Sequence, residues 1–268
     1  MFWKKIIILC LALPMLFCLP SKALKPGESI HEGNIRKPGE IGNELTFRKS
    51  EEIASEQTSR KPGDIVSEQT IRKLGEKHFF SISPIPDDIF RLMQRKTYKK
   101  NCTVARSELR YLRCLHVDKD GRKIVGEMVV NKAIAADVLD ILKKLYEAKY
   151  PIERMRLIDY WDANDERAMR ANNSSSFNFR FISHTHTVSK HGKGLAIDIN
   201  TLYNPYHKRL KNGKDVVEPA TARPYLDRSK HHVYMIKKDD LCYRLFKAKG
   251  FRWGGDWKHS KDYQHFEK

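Results

Sequence analysis

The chain has 268 residues, 40% hydrophobic and 10% aromatic, enough apolar material for one catalytic domain with a real core plus extra segments. Lys and Arg outnumber Asp and Glu by 51 to 33, a formal charge of +18 that favours polyanionic surroundings but assigns no function by itself. The five cysteines form no Cys-x-x-Cys pair, which leaves a thiolate zinc knuckle or a thioredoxin-like site without support.

At the start, Lys4 and Lys5 precede an almost wholly apolar run from Ile6 to Leu19, and Ser21-Lys22-Ala23 supplies the small residues of a cleavage site. Residues 1–23 therefore read as a secretory signal peptide. The run falls short of the ~20 apolar residues that cross a bilayer, so no permanent membrane span is expected. The expected location is the periplasm, the cell envelope or the medium. Lipid anchoring through Cys18 is disfavoured by the bulky Phe17 before it. Loss of Cys10 and Cys18 with the signal leaves Cys102, Cys114 and Cys242, which permit at most one internal disulfide. Cys102 and Cys114 are the nearer pair in sequence, and the pairing stays open.

A repeat follows. Lys25-Pro26-Gly27-Glu28, Lys37-Pro38-Gly39-Glu40, Lys49-Ser50-Glu51-Glu52, Lys61-Pro62-Gly63-Asp64 and Lys73-Leu74-Gly75-Glu76 recur about every 12 residues. Each unit has only one or two apolar side chains, for example Ile65 and Ile71, too few to offset an ordering entropy of about 1–2 kcal/mol per residue. Residues 24–77 are accordingly expected to be a disordered spacer, with a short solenoid or a wall-binding tract as the alternative.

The folded catalytic domain is expected over residues 78–268. Pro86-Asp87-Asp88 opens a helix with Ile89, Leu92 and Met93 on one face. Leu109 to Val117, the turn Asp118-Lys119-Asp120-Gly121 and Val125 to Val130 form a hairpin. Asn131 caps a helix from Lys132 to Ala148, in which Ile134, Val138, Ile141, Leu142 and Leu145 recur at helical spacing. Met155 to Tyr160 reads as a further strand, Tyr206 to Tyr234 as partly irregular, and Leu241 to Lys249 as a helix stopped by Gly250. Strands and helices mix without regular alternation, so the fold class is α+β: a small antiparallel sheet flanked by helices.

Chemistry concentrates near the C-terminus. In Gly194-Leu195-Ala196-Ile197-Asp198-Ile199-Asn200, alternation puts Leu195, Ile197 and Ile199 on a core face. The other face holds small residues, Asp198 and Asn200, leaving room for a group over the strand. His191, in the glycine-flanked loop before it, is placed to turn back toward Asp198, and imidazole and carboxylate are ordinary zinc ligands. Asp262-Tyr263-Gln264-His265 offers a third ligand, His265, with a carboxylate nearby to act as general base. Phe251-Arg252-Trp253-Gly254-Gly255-Asp256-Trp257 supplies aromatic walls and a turn, with Asp256 available to support a ligand or cap that turn.

In this order, Ser189-x-His191-x-x-Gly194-x-Ala196-x-Asp198, Trp253-Gly254-Gly255-Asp256-Trp257 and Asp262-x-x-His265 resemble the D-alanyl-D-alanine carboxypeptidases. More broadly the chain looks like the VanY-like and L-alanyl-D-glutamate endopeptidase branch of the LAS zinc peptidases, whose fold is hedgehog/DD-peptidase-like. The resemblance spans roughly Phe80 to Lys268. It implies zinc held by His191, Asp198 and His265, with Asp262 activating the attacking water. Arg180 would steady the substrate carbonyl or oxyanion. Ser189 has a supporting role at the substrate site, and Tyr206, Trp253 and Trp257 contact the substrate, a peptidoglycan stem peptide. The enzyme is expected to be a monomer. The bond cut, L-Ala-D-Glu internally or terminal D-Ala-D-Ala, stays open.

Two other classes compete. A non-catalytic zinc-bearing wall-binding domain has no need of Asp262 beside His265. A nucleic-acid binder fits neither the export signal nor the absence of an aromatic-basic RNA motif, so no nucleic acid is expected as partner. His184 with His186, and His231 with His232, are read as solvated loop residues.

Overall fold

The structure, a computed structural model, describes residues 61–182 and 185–268. Expectations for the signal peptide, for residues 24–60 and for His184 lie outside the described residues.

The described chain starts inside the stretch expected to be a spacer, and residues 61–77 are packed. Lys61–Asp64 makes a turn in which the Lys61 amide donates to Asp64 Oδ2 (2.8 Å). The chain then pairs with a neighbouring strand: the Gly63 amide donates to Val125 O (2.7 Å), the Val125 amide to Asp64 O (3.0 Å) and the Val66 amide to Lys123 O (2.8 Å). Ser67 caps helix α1 (Glu68–Leu74) by accepting from the Thr70 amide at 3.1 Å. Val66, Ile71 and Leu74 bury against Leu115, Val117, Val125 and Tyr146. One unit cannot bury its own few apolar residues, but the sheet supplies the missing partner surface.

Strand β1 (Ser81–Ser83) is followed by α2 (Asp87–Met93), and then by β2 (Leu109–Val117) and β3 (Lys123–Asn131). β2 and β3 pair antiparallel from Leu109↔Asn131 to Val117↔Lys123, and β1 adds to the far edge of β2. α3 (Ala135–Glu147) buries Val138, Ile141, Leu142 and Leu145 on that sheet, as its spacing predicts.

Beyond it, the strand expected over Met155 to Tyr160 is reduced to β4 (Arg154–Met155), which lies parallel to β5 (Asn173–Ser174). Ile158–Trp161 is a 3-10 turn instead. The cause is Asp159, whose buried carboxylate accepts from the Thr97 amide (3.1 Å) and hydroxyl (2.8 Å). That demand outweighs the β pattern of the neighbouring apolar residues. The short helix α4 (Asp165–Arg170) sits between β4 and β5 and is capped by Asn164.

The C-terminal third builds two more three-stranded antiparallel sheets. One, in the order β6-β11-β9, joins β6 (Ala196–Asp198), β9 (Arg252–Trp253) and β11 (His265–Glu267). The other, in the order β10-β7-β8, joins β7 (Tyr206–Arg209), β8 (Asp215–Glu218) and β10 (Lys261–Asp262). Helix α5 (Leu241–Ala248), capped by Asp240 and followed by Gly250, packs Phe246 flat on Phe266 at 4.2 Å. The fold is α+β as expected, with the antiparallel strands divided among three small sheets.

Cys102, Cys114 and Cys242 are all free. Cys114 lies in the main core, while Cys102 packs at a separate cluster around Tyr98 and Phe177, so the nearer pair in sequence is not bridged. Among the described residues no helix is long and apolar enough to cross a membrane.

Ile71→Ala should cost ~2–5 kcal/mol, as a buried aliphatic truncation does. The melting temperature should then fall by about 5–15 °C in a calorimetric scan. A chain beginning at residue 78 should melt lower still. Equal melting of the 78–268 form and the longer chain would show that the docked segment contributes nothing.

Candidate metal centre

Three backbone segments meet at Asp198. On one side its amide and carbonyl pair with Ser175 (2.9 and 3.0 Å). On the other, β11 runs antiparallel to β6 with His265 directly opposite Asp198. Directly paired residues share a face of the sheet, about 4.5–5.5 Å apart at Cβ, so the two side chains are neighbours by register. His191 enters through the 3-10 turn His191–Lys193, which ends at Gly194 with φ +68. There the chain passes so close to β3 that an added Cβ would lie 2.7 Å from the Asn131 amide nitrogen, and that amide donates to Gly194 O at 2.8 Å. Only glycine accommodates both the turn and the approach.

The result is a triangle of donor atoms. His191 Nε2 lies 3.1 Å from His265 Nδ1 and 3.1 Å from Asp198 Oδ2, and His265 Nδ1 lies 3.1 Å from Asp198 Oδ1. Both imidazoles are buried, at 6% exposure. Ligands about 2.1 Å from a tetrahedral ion sit roughly 3.4 Å apart, so these atoms match the edges of a zinc site closely. His191 Nδ1 donates to Ser176 O (2.7 Å), which turns Nε2 toward the triangle. The donor set fits a divalent cation, and its three residues line a cleft of about 440 Å³.

Electrostatics agree. Burial pushes the Asp198 carboxyl up, but the charge and hydrogen bond of His191 and then the contacts of His265 outweigh it and hold it far below the carboxylate range. Burial alone would lower the His265 imidazole, yet its hydrogen bonds to Asp198 and Glu267 raise it to about 10. Without a cation the triangle therefore holds a proton where a metal would bind.

Asp262 lines the same cleft. Its Oδ1 is sealed from solvent and has no hydrogen-bond partner among the described residues. Burial, reinforced by the negative Asp198 against the positive His265, raises its carboxyl to about 7. The Trp-Gly-Gly motif explains its placement. A Cβ on Gly254 would lie 2.5 Å from Asp262 O and 2.7 Å from its Cβ, so glycine lets the turn close on β10.

Other expected residues divide. Arg180 lines the cleft with its guanidinium paired to Asp165, whose other oxygen accepts from Asn178 Nδ2 at 2.9 Å. Tyr206 and Trp257 are half-buried cleft walls, the Trp257 ring centred 5.5 Å from that of His265. Ser189 borders the cleft, but its hydroxyl accepts from the Gly192 amide (2.9 Å) and fixes the ligand loop. Trp253 is not at the cleft. It is 4% exposed, opposite Phe266 on the core face, with Nε1 donating to Tyr263 O at 2.9 Å. Alternation makes Arg252 the residue of β9 on the ligand face. Asn200 also departs from expectation: it is fully buried, with its amide group spent on Pro151 O and the Glu153 amide. His232 stacks on Tyr203 at 3.9 Å, and Asp256 faces Lys247 at 3.7 Å.

The sequence reading missed Asp165, Glu218 and Glu267, all in the cleft lining. Glu218 follows from a hairpin within the stretch expected to be partly irregular. β7 and β8 pair from Tyr206↔Glu218 to Arg209↔Asp215, and Asn212-Gly213 between them is a standard hairpin signal.

The purified chain should bind one zinc ion, measured by chelator competition, and release protons as it does so. Affinity should rise from pH about 7 to about 9, because the ion displaces the His265 proton. His191→Ala, Asp198→Ala and His265→Ala should each weaken binding by at least ~100-fold. Unchanged affinity in all three would dismiss the centre.

No solved structure matches the chain. Residues 183–268 match the family model described as D-alanyl-D-alanine carboxypeptidase, and the resemblance read from the sequence thus holds over the segment that carries all three donors and Asp262.

Proposed function

We propose that the chain is an exported, monomeric zinc peptidase that hydrolyses amide bonds in peptidoglycan stem peptides. The observation that carries this reading is a His-Asp-His donor triangle beside a carboxylate with one unpartnered oxygen, all in one cleft. A binding module needs the first but not the second.

Zinc bound by His191, Asp198 and His265 would supply Lewis-acid polarisation of a carbonyl and make water acidic enough to react near neutral pH. Asp262 acts as general base and then acid. Its carboxylate, which lines the cleft, takes the proton of the attacking water and returns it to the departing amine. Arg180 directs N–H donors toward charge growing on the carbonyl oxygen, and Asp165 keeps its guanidinium in place. Tyr206 and Trp257 hold the peptide between them.

Cleavage of an internal bond is favoured over removal of a terminal residue. A carboxypeptidase needs a cation free to clamp the terminal carboxylate. Of the two cations in the cleft lining, Arg180 is assigned to the carbonyl oxygen of the bond cut, and Lys190 is held by Lys268 O at 2.8 Å.

The test is digestion of purified peptidoglycan by the zinc-loaded chain, with mass spectrometry of the released muropeptides. New amine termini within the stem peptide are expected. Asp262→Asn should lower the rate by ~10²–10⁴-fold while zinc stays bound. The parent rate should fall in acid as Asp262 takes up its proton, with a midpoint at or below pH about 7, because a bound cation lowers that carboxyl further. No new termini from loaded protein would favour the binding module, and an undiminished Asp262→Asn rate would remove Asp262 as the base.

A further inference from the structure

We propose that Glu267 is a positioning residue of the metal centre, holding the His265 ring so that Nδ1 faces the ion. The proposal rests on the reading of His191, Asp198 and His265 as that centre.

The two imidazoles present different atoms to the triangle. His191 points Nε2 inward and anchors Nδ1 on a backbone carbonyl. His265 points Nδ1 inward, so its Nε2 is directed away and needs an acceptor of its own. That acceptor is Glu267, whose Oε2 lies 3.3 Å from Nε2. The other carboxylate oxygen accepts from Arg252 Nη2 at 2.7 Å. A metal-bound imidazole held by a carboxylate on its far nitrogen is fixed in both ring orientation and tautomer, and is a stronger ligand.

The sheet is built for this arrangement. Residues two apart on a strand share a face, so Glu267 lies beside His265 on β11, while Phe266 between them points into the core. Across the sheet, Glu267 is opposite Ala196 on β6 and Arg252 on β9. Alanine at 196 leaves the ligand face clear at that row, and the Glu267 side chain is only 13% exposed. The room that small residues leave beside Asp198 therefore accommodates a support for His265 as well as the metal. Arg252, 71% exposed, pulls the carboxylate from the opposite side and completes a line from solvent to ligand.

Zinc affinity by chelator competition and the visible spectrum of the cobalt(II)-loaded protein, both on the full chain, test the assignment. Glu267→Ala should weaken zinc binding by ~10–100-fold and change the cobalt bands, because the ring is free to turn. Glu267→Gln, which keeps an oxygen acceptor at the same reach, should recover most of the affinity and the parent spectrum. Affinities within about twofold of the parent for both variants, with unchanged cobalt bands, would overturn the proposal. So would a lower melting temperature of the metal-free Glu267→Ala protein with metal binding intact, since that is the signature of a merely structural side chain. If the parent chain binds neither ion, the metal centre itself fails, and that outcome is distinct from failure of Glu267 alone.

Discussion

The register between β6 and β11 is the constraint on which the site depends. Pairing His265 with Asp198 sets two donors side by side, and the same register puts Phe266 against Ile197 on the core face. A slip of one residue would bury both polar side chains and expose Phe266 and Ile197. The aromatic stack of Phe266 on Phe246 and the pairing of Phe266 with Trp253 oppose that slip. Core packing and ligand geometry are thus two faces of one pairing decision. This is why a site assembled from residues far apart in the chain is held by so little regular structure.

The surrounding segments serve the same end. Ser175 and Ser176 supply backbone groups to Asp198 and His191, and Gly194 lets the ligand loop rest against β3. Gly254 does the equivalent for Asp262. One oxygen of the Asp262 carboxylate is buried without a partner, which costs stability unless function repays it. A carboxylate desolvated in this way accepts a proton more readily than one in water.

Much of this was legible in the sequence, for reasons that can be located. The β2–β3 hairpin and α3 carry clean periodicities, and the His191, Asp198 and His265 spacing carries the donor set. The failures have particular causes. Trp253 looked like a cleft wall because aromatic residues beside a glycine turn often are, but its cross-strand pairing with Phe266, which only the fold reveals, puts it in the core. Ile158 lost its strand to the hydrogen-bond demand of Asp159, a contact with Thr97 more than sixty residues away that no local pattern reveals. Glu267 is two residues after His265, and only the orientation of that ring shows what it faces. Residues 61–77 looked too poor in apolar side chains because their partner surface belongs to β2, β3 and α3.

That last segment also changes the character of the sheet it covers. An uncovered strand end offers amides and carbonyls that invite another chain to add itself. Here Gly63, Asp64 and Val66 occupy those groups along β3, and the new margin carries Pro62, which has no amide to donate, beside the charged Lys61 and Asp64. The protein is thereby spared one route to stacking edge-on with its own copies. The last complete repeat unit works as a selvedge, finishing the cloth so that it does not fray into its neighbours.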